Sequence, residues 1–199
     1  QELAYGVISM VCPIGRFHPG LAFQTFGCPA YRENTAVFSL GSTYQKKMFY
    51  GFNLRFHKLD IPGYGSDYCL GLDLGFLITL SPVTTWGFFA RNVNRPTLGQ
   101  DPEELPQIYC TGLSLTPLKT LILNLDMYKD IRYPTEVRAG LEYRLFEALA
   151  LRTGVGNNPS RFTAGLGILV NIIEVDYAFS THSDLGLTHQ ISLTICLNR

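Results

Sequence analysis

Charge is scarce in this chain. Asp, Glu, Lys and Arg make up 16% of 199 residues, where an ordinary soluble domain carries about 25%. The two signs balance at 16 each, so there is neither a basic stripe for nucleic acid nor an acidic tail. Tryptophan occurs once and histidine four times, against 24 Phe plus Tyr (13 + 11) and 19 Gly. The five cysteines (Cys12, Cys28, Cys69, Cys110 and Cys196) are scattered and odd in number, which argues against a full disulfide framework and reads as free, packed thiols. No membrane-spanning helix is encoded. The longest uncharged run, Leu74 to Ala90, is broken by Ser81, Pro82, Thr84 and Thr85, so it reads as two strands and a turn. No secretory signal is read at the start, and Gln1 is compatible with the first residue of a processed, exported chain.

Catalytic and cofactor patterns are equally thin. His182-Ser183-Asp184 lies in a polar loop followed by His189, but no HExxH or GxSxG accompanies it. Gly154-Val155-Gly156-Asn157-Asn158-Pro159 lacks the Lys-Ser/Thr of a phosphate loop and any following helix. It reads as a hairpin loop. No catalytic residue, metal site or cofactor is expected.

What is present is alternation. In Thr135 to Leu145, one parity holds Val137, Ala139, Leu141, Tyr143 and Leu145, and the other Glu136, Arg138, Gly140, Glu142 and Arg144. Only an extended strand separates neighbours in this way, and its length is near the ten residues a tilted strand needs to cross a bilayer. The pattern recurs from Pro19 almost to the C-terminus, predicting about twelve strands (range 10–14). Residues 1–18 are left as a rim segment, a lumenal segment or an extra strand. Connections alternate: short near Lys46, Pro82, Lys119, Glu147 and Val170, longer at 28–34, 60–66, 94–106, 129–134, 156–160 and 180–187. Short turns on one rim and longer loops on the other are the habit of outer-membrane barrels.

A soluble β-sandwich also alternates, but its strands are usually five or six residues long. Here aromatics gather at strand ends, at Tyr44, Tyr128, Tyr143, Phe146 and Phe179, as an interfacial girdle does. The charges choose the face. Asp73, Asp126, Glu136, Arg138, Glu142, Arg144, Arg152, Glu174 and Asp176 share one parity, as do Arg55 and Arg91. An Arg or Lys facing lipid at mid-bilayer costs about 2–4 kcal/mol, so this parity is expected to line the lumen. A turn centred near Arg132 sets Asp126 opposite Arg138, and one near Glu147 sets Glu142 opposite Arg152. Such a lining is either a selectivity filter or a structural ladder, and neutralised pairs favour the ladder. The loop residues Asp101, Glu103, Glu104 and Asp184 are the candidate partner-facing positions.

In the C-terminal half, Leu141-Glu142-Tyr143-Arg144-Leu145-Phe146, Leu149-Ala150-Leu151-Arg152-Thr153-Gly154, Asn158-Pro159-Ser160-Arg161-Phe162-Thr163-Ala164-Gly165-Leu166-Gly167 and Asp176-Tyr177-Ala178-Phe179 resemble the PorV/PorQ-like group of FadL-type outer-membrane barrels. Asp184-Leu185-Gly186-Leu187-Thr188-His189 and the earlier Gly71-Leu72-Asp73-Leu74-Gly75 are similar to family stretches as well. The resemblance implies a non-enzymatic barrel in the bacterial outer membrane. Two jobs follow from it: docking of membrane or secreted proteins as a type IX secretion accessory, or passage of fatty acids and other hydrophobic small molecules. The chain is short for the family. The Asn-Pro-Ala stretch and the FadL-type hatch are not recognisable, which weighs against transport through a gated hatch. The docking role is the leading expectation, hydrophobic passage the alternative, and a soluble β-sandwich binding module a second alternative.

Overall fold

The computed structural model describes residues 3–99, 103–182 and 186–195. It is an all-β, antiparallel, up-and-down transmembrane fold, with thirteen strands hydrogen-bonded in chain order and a separate two-stranded hairpin. By internal contacts the chain forms two units.

The first unit spans 1–79, 87–110 and 130–132. It contains β1 (Ala4–Val11), β2 (Phe17–Cys28), β3 (Tyr31–Tyr44), β4 (Met48–Ile61) and most of β5 (Gly65–Ser81) and β6 (Thr84–Arg91). The hairpin of β7 (Thr97–Leu98) and β8 (Glu103–Glu104) belongs to it too. The second spans 80–86, 111–129 and 133–199. It contains most of β9 (Ile108–Leu118) and β10 (Leu121–Asp130), then β11 (Glu136–Phe146), β12 (Leu149–Gly156), β13 (Arg161–Val170), β14 (Ile173–His182) and β15 (Gly186–Ile195).

Residues 4–11 form a full strand, paired with β2 from Ala4↔Gly27 to Val11↔Gly20. Two of the expected loops are shorter than the turn-rich sequence suggested. Pairing continues to Cys28↔Tyr31, leaving only Pro29 and Ala30, and to Ile61↔Gly65 around Pro62–Tyr64. Turn residues mark the bend; ladder hydrogen bonds decide how close to it the strands run. On the opposite rim, 45–47, 82–83, 119–120, 147–148 and 171–172 are tight turns.

The two faces of each unit settle what surrounds them. In β11, Val137, Leu141 and Tyr143 are exposed while Glu136 is 5% exposed and Glu142 half-buried. In the first unit, Leu54, Phe56, Leu70 and Leu74 are exposed while Asp73 is 1% exposed. Among the described residues the buried hydrophobic side chains are Val37, Ala90 and Ile108 alone. Burial is worth about 25 cal/mol per Å² of apolar surface, and a soluble monomer rarely exposes an apolar patch beyond about 600 Å². A chain that buries its carboxylates and exposes its leucines has a non-aqueous neighbour on the leucine side. The sandwich alternative falls on this inversion.

Candidate functional site

On the charged face of the second unit the sequence-predicted residues gather into two clusters. In one, Arg138 Nη2 donates to Glu136 Oε2 at 2.6 Å, and Arg161 donates to the other oxygen of Glu136. The Arg138 guanidinium lies 4.4 Å from the Tyr128 ring centre, a cation–π contact. Asp126 and Arg138 are direct register partners. In the other, Glu142 accepts from Arg144 Nε at 3.0 Å and from Arg152 Nε at 2.9 Å. Arg152 also reaches Asp176, and its Nη2 lies 3.7 Å from Glu174. Ser192 donates to the second oxygen of Asp176 at 3.3 Å.

Small residues make room for these clusters. A Cβ on Gly167 would lie 2.6 Å from Asp176 Oδ1 and 3.0 Å from Arg152 Nη1, and one on Gly112 would collide with Asp126 Oδ1. Glu136, Glu142, Glu174 and Asp176 each meet an arginine, so these pairs leave little net field.

The charged face of the first unit is built differently. Asp73 is its hub: Asn53 Nδ2 donates to Oδ2 at 3.3 Å, the backbone N–H of Asn92 donates to Oδ1 at 3.1 Å, and Arg55 Nη1 lies 3.7 Å from Oδ2. Through Asn92 this hub reaches the stretch that follows β6. Asn92 Nδ2 donates to the Pro106 carbonyl at 2.9 Å, while Asn94 brackets the β5 backbone, accepting from Leu72 N and donating to Leu70 O. Gly99 N donates to Asp67 at 2.6 Å. The expected long loop is therefore an anchored excursion carrying the β7–β8 hairpin. Glu103 and Glu104 form β8; Asp101 and Asp184 lie outside the described residues.

Next to Asp73 lies an open chamber of about 510 Å³, lined by His18, Phe49, Leu77 and Phe89 around three glycines. Gly41, Gly51 and Gly75 are consecutive register partners across β3, β4 and β5. A Cβ on Gly51 would lie 2.8 Å from the Leu40 carbonyl oxygen, so glycine there lets the strands approach closely. Phe49, Leu77 and Phe89 occupy the parity of Arg55, Asp73 and Arg91. Face counting passes over them, because an apolar residue on the polar parity breaks a pattern without announcing a chamber. The available signal was their coincidence with the glycine row.

The sequence matches no family model, and no curated protein aligns with it. Solved structures do match. The Ralstonia pickettii toluene transporter TbuX superposes at a TM-score of 0.65 with 13% identity, over 96% of this chain and 81% of that one. The fold is that of the transmembrane β-barrels. The CymD monoaromatic hydrocarbon channel gives 0.67 at 13% identity, over 99% of this chain and 86% of that one. An engineered variant of the Rh. blastica porin gives 0.53 at 8% identity, over 97% and 89%. At these identities the likeness concerns the fold.

Proposed function

We propose that this chain is a non-enzymatic barrel of the bacterial outer membrane that passes hydrophobic small molecules through its lumen. The observation that carries this reading is the chamber of about 510 Å³ walled by Phe49, Leu77 and Phe89 on the face otherwise reserved for charge. Ligand sites are concave and mostly apolar, with a few polar groups at the edge, and here Asn53 and Asp73 supply that edge. The solved structures of like fold include toluene transporters and a monoaromatic hydrocarbon channel, which supports this alternative over docking. The paired charges of the second unit then serve as a structural lining rather than a filter.

The test is uptake of toluene into liposomes bearing the purified chain. Leu77→Trp fills the chamber and is expected to cut uptake about tenfold, the loss of roughly 1.4 kcal/mol of passage free energy, with heat-modifiable gel migration unchanged. Uptake at wild-type rate in a folded L77W barrel overturns the reading.

Docking of membrane or secreted proteins, in the manner of the PorV/PorQ-like group, draws support from the C-terminal motifs and from the exposed carboxylates Glu103 and Glu104 on β8. Isolation from native membrane with a stoichiometric protein companion, together with no hydrocarbon uptake, favours it.

A further inference from the structure

The chamber beside Asp73 lies wholly within the first unit, and the strand register sets its shape. His18, Gly41, Gly51 and Gly75 follow one another as partners across β2, β3, β4 and β5. Two residues along the strands to one side stand Phe49 and Leu77, partners of each other, and two residues to the other side stand Asn53 and Asp73. The result is a floor without side chains between an apolar wall and a polar one. Phe89 closes the β5 end, where a Cβ on Gly75 would lie 3.7 Å from its Cδ2. These surfaces are open to a ligand: Phe49 is 44% exposed and Leu77 42%, and the three glycines are half-buried.

Hydrogen-bonded strands lie about 4.8 Å apart, so three spacings separate His18 from Gly75 by about 14 Å. A single aromatic ring spans about one such spacing and leaves most of the floor bare. The volume agrees. A closed apolar cavity of about 150 Å³ takes up benzene, and this chamber of about 510 Å³ is more than three times larger. Apolar surface left without a partner forfeits dispersion contacts, so the best occupant covers the whole floor. A floor lacking Cβ atoms gives a puckered ring nothing to interlock with, whereas a planar face meets it over its full area. The chamber also makes no ionic demand. Among the described residues its ionisable lining is His18 and Asp73, and Asp73, 1% exposed, is already bonded to Asn53 and to the Asn92 N–H. A carboxylate finds neither lysine nor arginine on this lining.

We propose that the chamber takes planar, uncharged, fused-ring aromatic hydrocarbons of two or three rings, lying on the glycine floor with the long axis across the strands. Glycine at 41 and 75 then sets how many rings are admitted. Resting on the passage reading, this narrows it to a substrate class. A Cβ at Gly75 meets the Phe88 carbonyl oxygen at 3.6 Å and one at Gly41 lies 3.9 Å from His18, both ordinary contacts, while one at Gly51 would lie 2.8 Å from a backbone oxygen. Positions 41 and 75 are therefore where the floor can be raised without moving a strand.

Toluene, naphthalene and decalin test this in liposomes bearing the purified full chain, each rate taken over that of protein-free liposomes. Naphthalene and decalin share one fused ten-carbon skeleton, planar in the first and puckered in the second. We expect naphthalene to pass several-fold faster than decalin. Gly75→Ala should cut naphthalene uptake about tenfold more than toluene uptake, the scale on which an apolar site registers one carbon, with heat-modifiable migration unchanged. Gly41→Ala, at the other end of the floor, should shift the ratio in the same direction, and it carries the test if G75A fails to fold. Equal rates for naphthalene and decalin, or a naphthalene-to-toluene ratio unchanged in the folded alanine variant, overturns the proposal. If L77W blocks uptake while the alanine variants leave that ratio unchanged, the fused-ring assignment alone fails; if folded L77W takes up hydrocarbon at the wild-type rate, the passage reading fails with it.

Discussion

The two units solve the same problem, a charged face that must not touch lipid, in opposite ways. In the second unit Glu136, Arg138, Glu142, Arg144, Arg152, Arg161, Glu174 and Asp176 satisfy one another along a ladder, and glycines are placed so that the ladder fits. In the first unit one deeply buried carboxylate, Asp73, gathers its partners around it. Beside it that face opens an apolar chamber. A wall whose charges are paired with one another has little left to offer a ligand. A wall with open apolar surface has more. Under the proposed function the division gives scaffolding to one unit and ligand handling to the other, and it is open to attack from either side.

The largest effect should come from the hub. Asp73→Leu removes the carboxylate that Arg55, Asn53 and the Asn92 amide all address, leaving a guanidinium that is 13% exposed without its counter-ion. Breaking a buried pair on one side typically costs about 3–5 kcal/mol. Urea titration of the refolded barrel should show a loss of that size, and the stretch that follows β6 should become sensitive to protease. A loss below about 1 kcal/mol would mean that Asp73 organises nothing.

Arg138→Glu is the corresponding attack on the ladder. It replaces the partner of Glu136 with a like charge, directly opposite Asp126, and strips the cation from the Tyr128 ring. Loss of a hydrogen bond to a charged group costs about 1.5–3 kcal/mol, and like charges opposed across strands add to it. Refolding yield should fall markedly while the cation-to-anion permeability ratio in planar bilayers barely moves. A well-folded R138E barrel with strongly altered selectivity would make the ladder a filter.

The pairings Asp126 with Arg138 and Glu142 with Arg152 were legible before any coordinates, because a hairpin is symmetric about its turn and period-two alternation leaves one register for the charges. The outward face of β11, and of Leu54, Phe56, Leu70 and Leu74 in β4 and β5, followed from the same parity. What lay beyond it were relations between distant residues. Nothing local tells that Asn92 turns its backbone toward Asp73, or that Pro96 and Leu105 close a small hairpin. Arg161 joined Glu136 across two strands on a parity that was readable, at the edge of a loop that drew attention away from it. Phe49, Leu77 and Phe89 were visible as irregularities, and became a chamber only when the glycines of three strands fell into one row.

The mildest substitution tests whether the ladder is redundant, as its geometry implies. Glu142→Gln removes one carboxylate from Arg144 and Arg152 but keeps an amide oxygen to accept from either. Arg152 retains Asp176 and Glu174, and Arg144, 56% exposed, recovers water in place of its partner. An exposed ion pair contributes about 0.2–1 kcal/mol, so E142Q should lower the urea midpoint only within that range and leave hydrocarbon uptake at the wild-type rate. A shared network loses little when one of several anions is neutralised, whereas a lone hub loses nearly everything. If E142Q instead cost as much as Asp73→Leu, the contrast between a distributed wall and a concentrated one would collapse, and the second unit would have to be searched for a ligand as closely as the first.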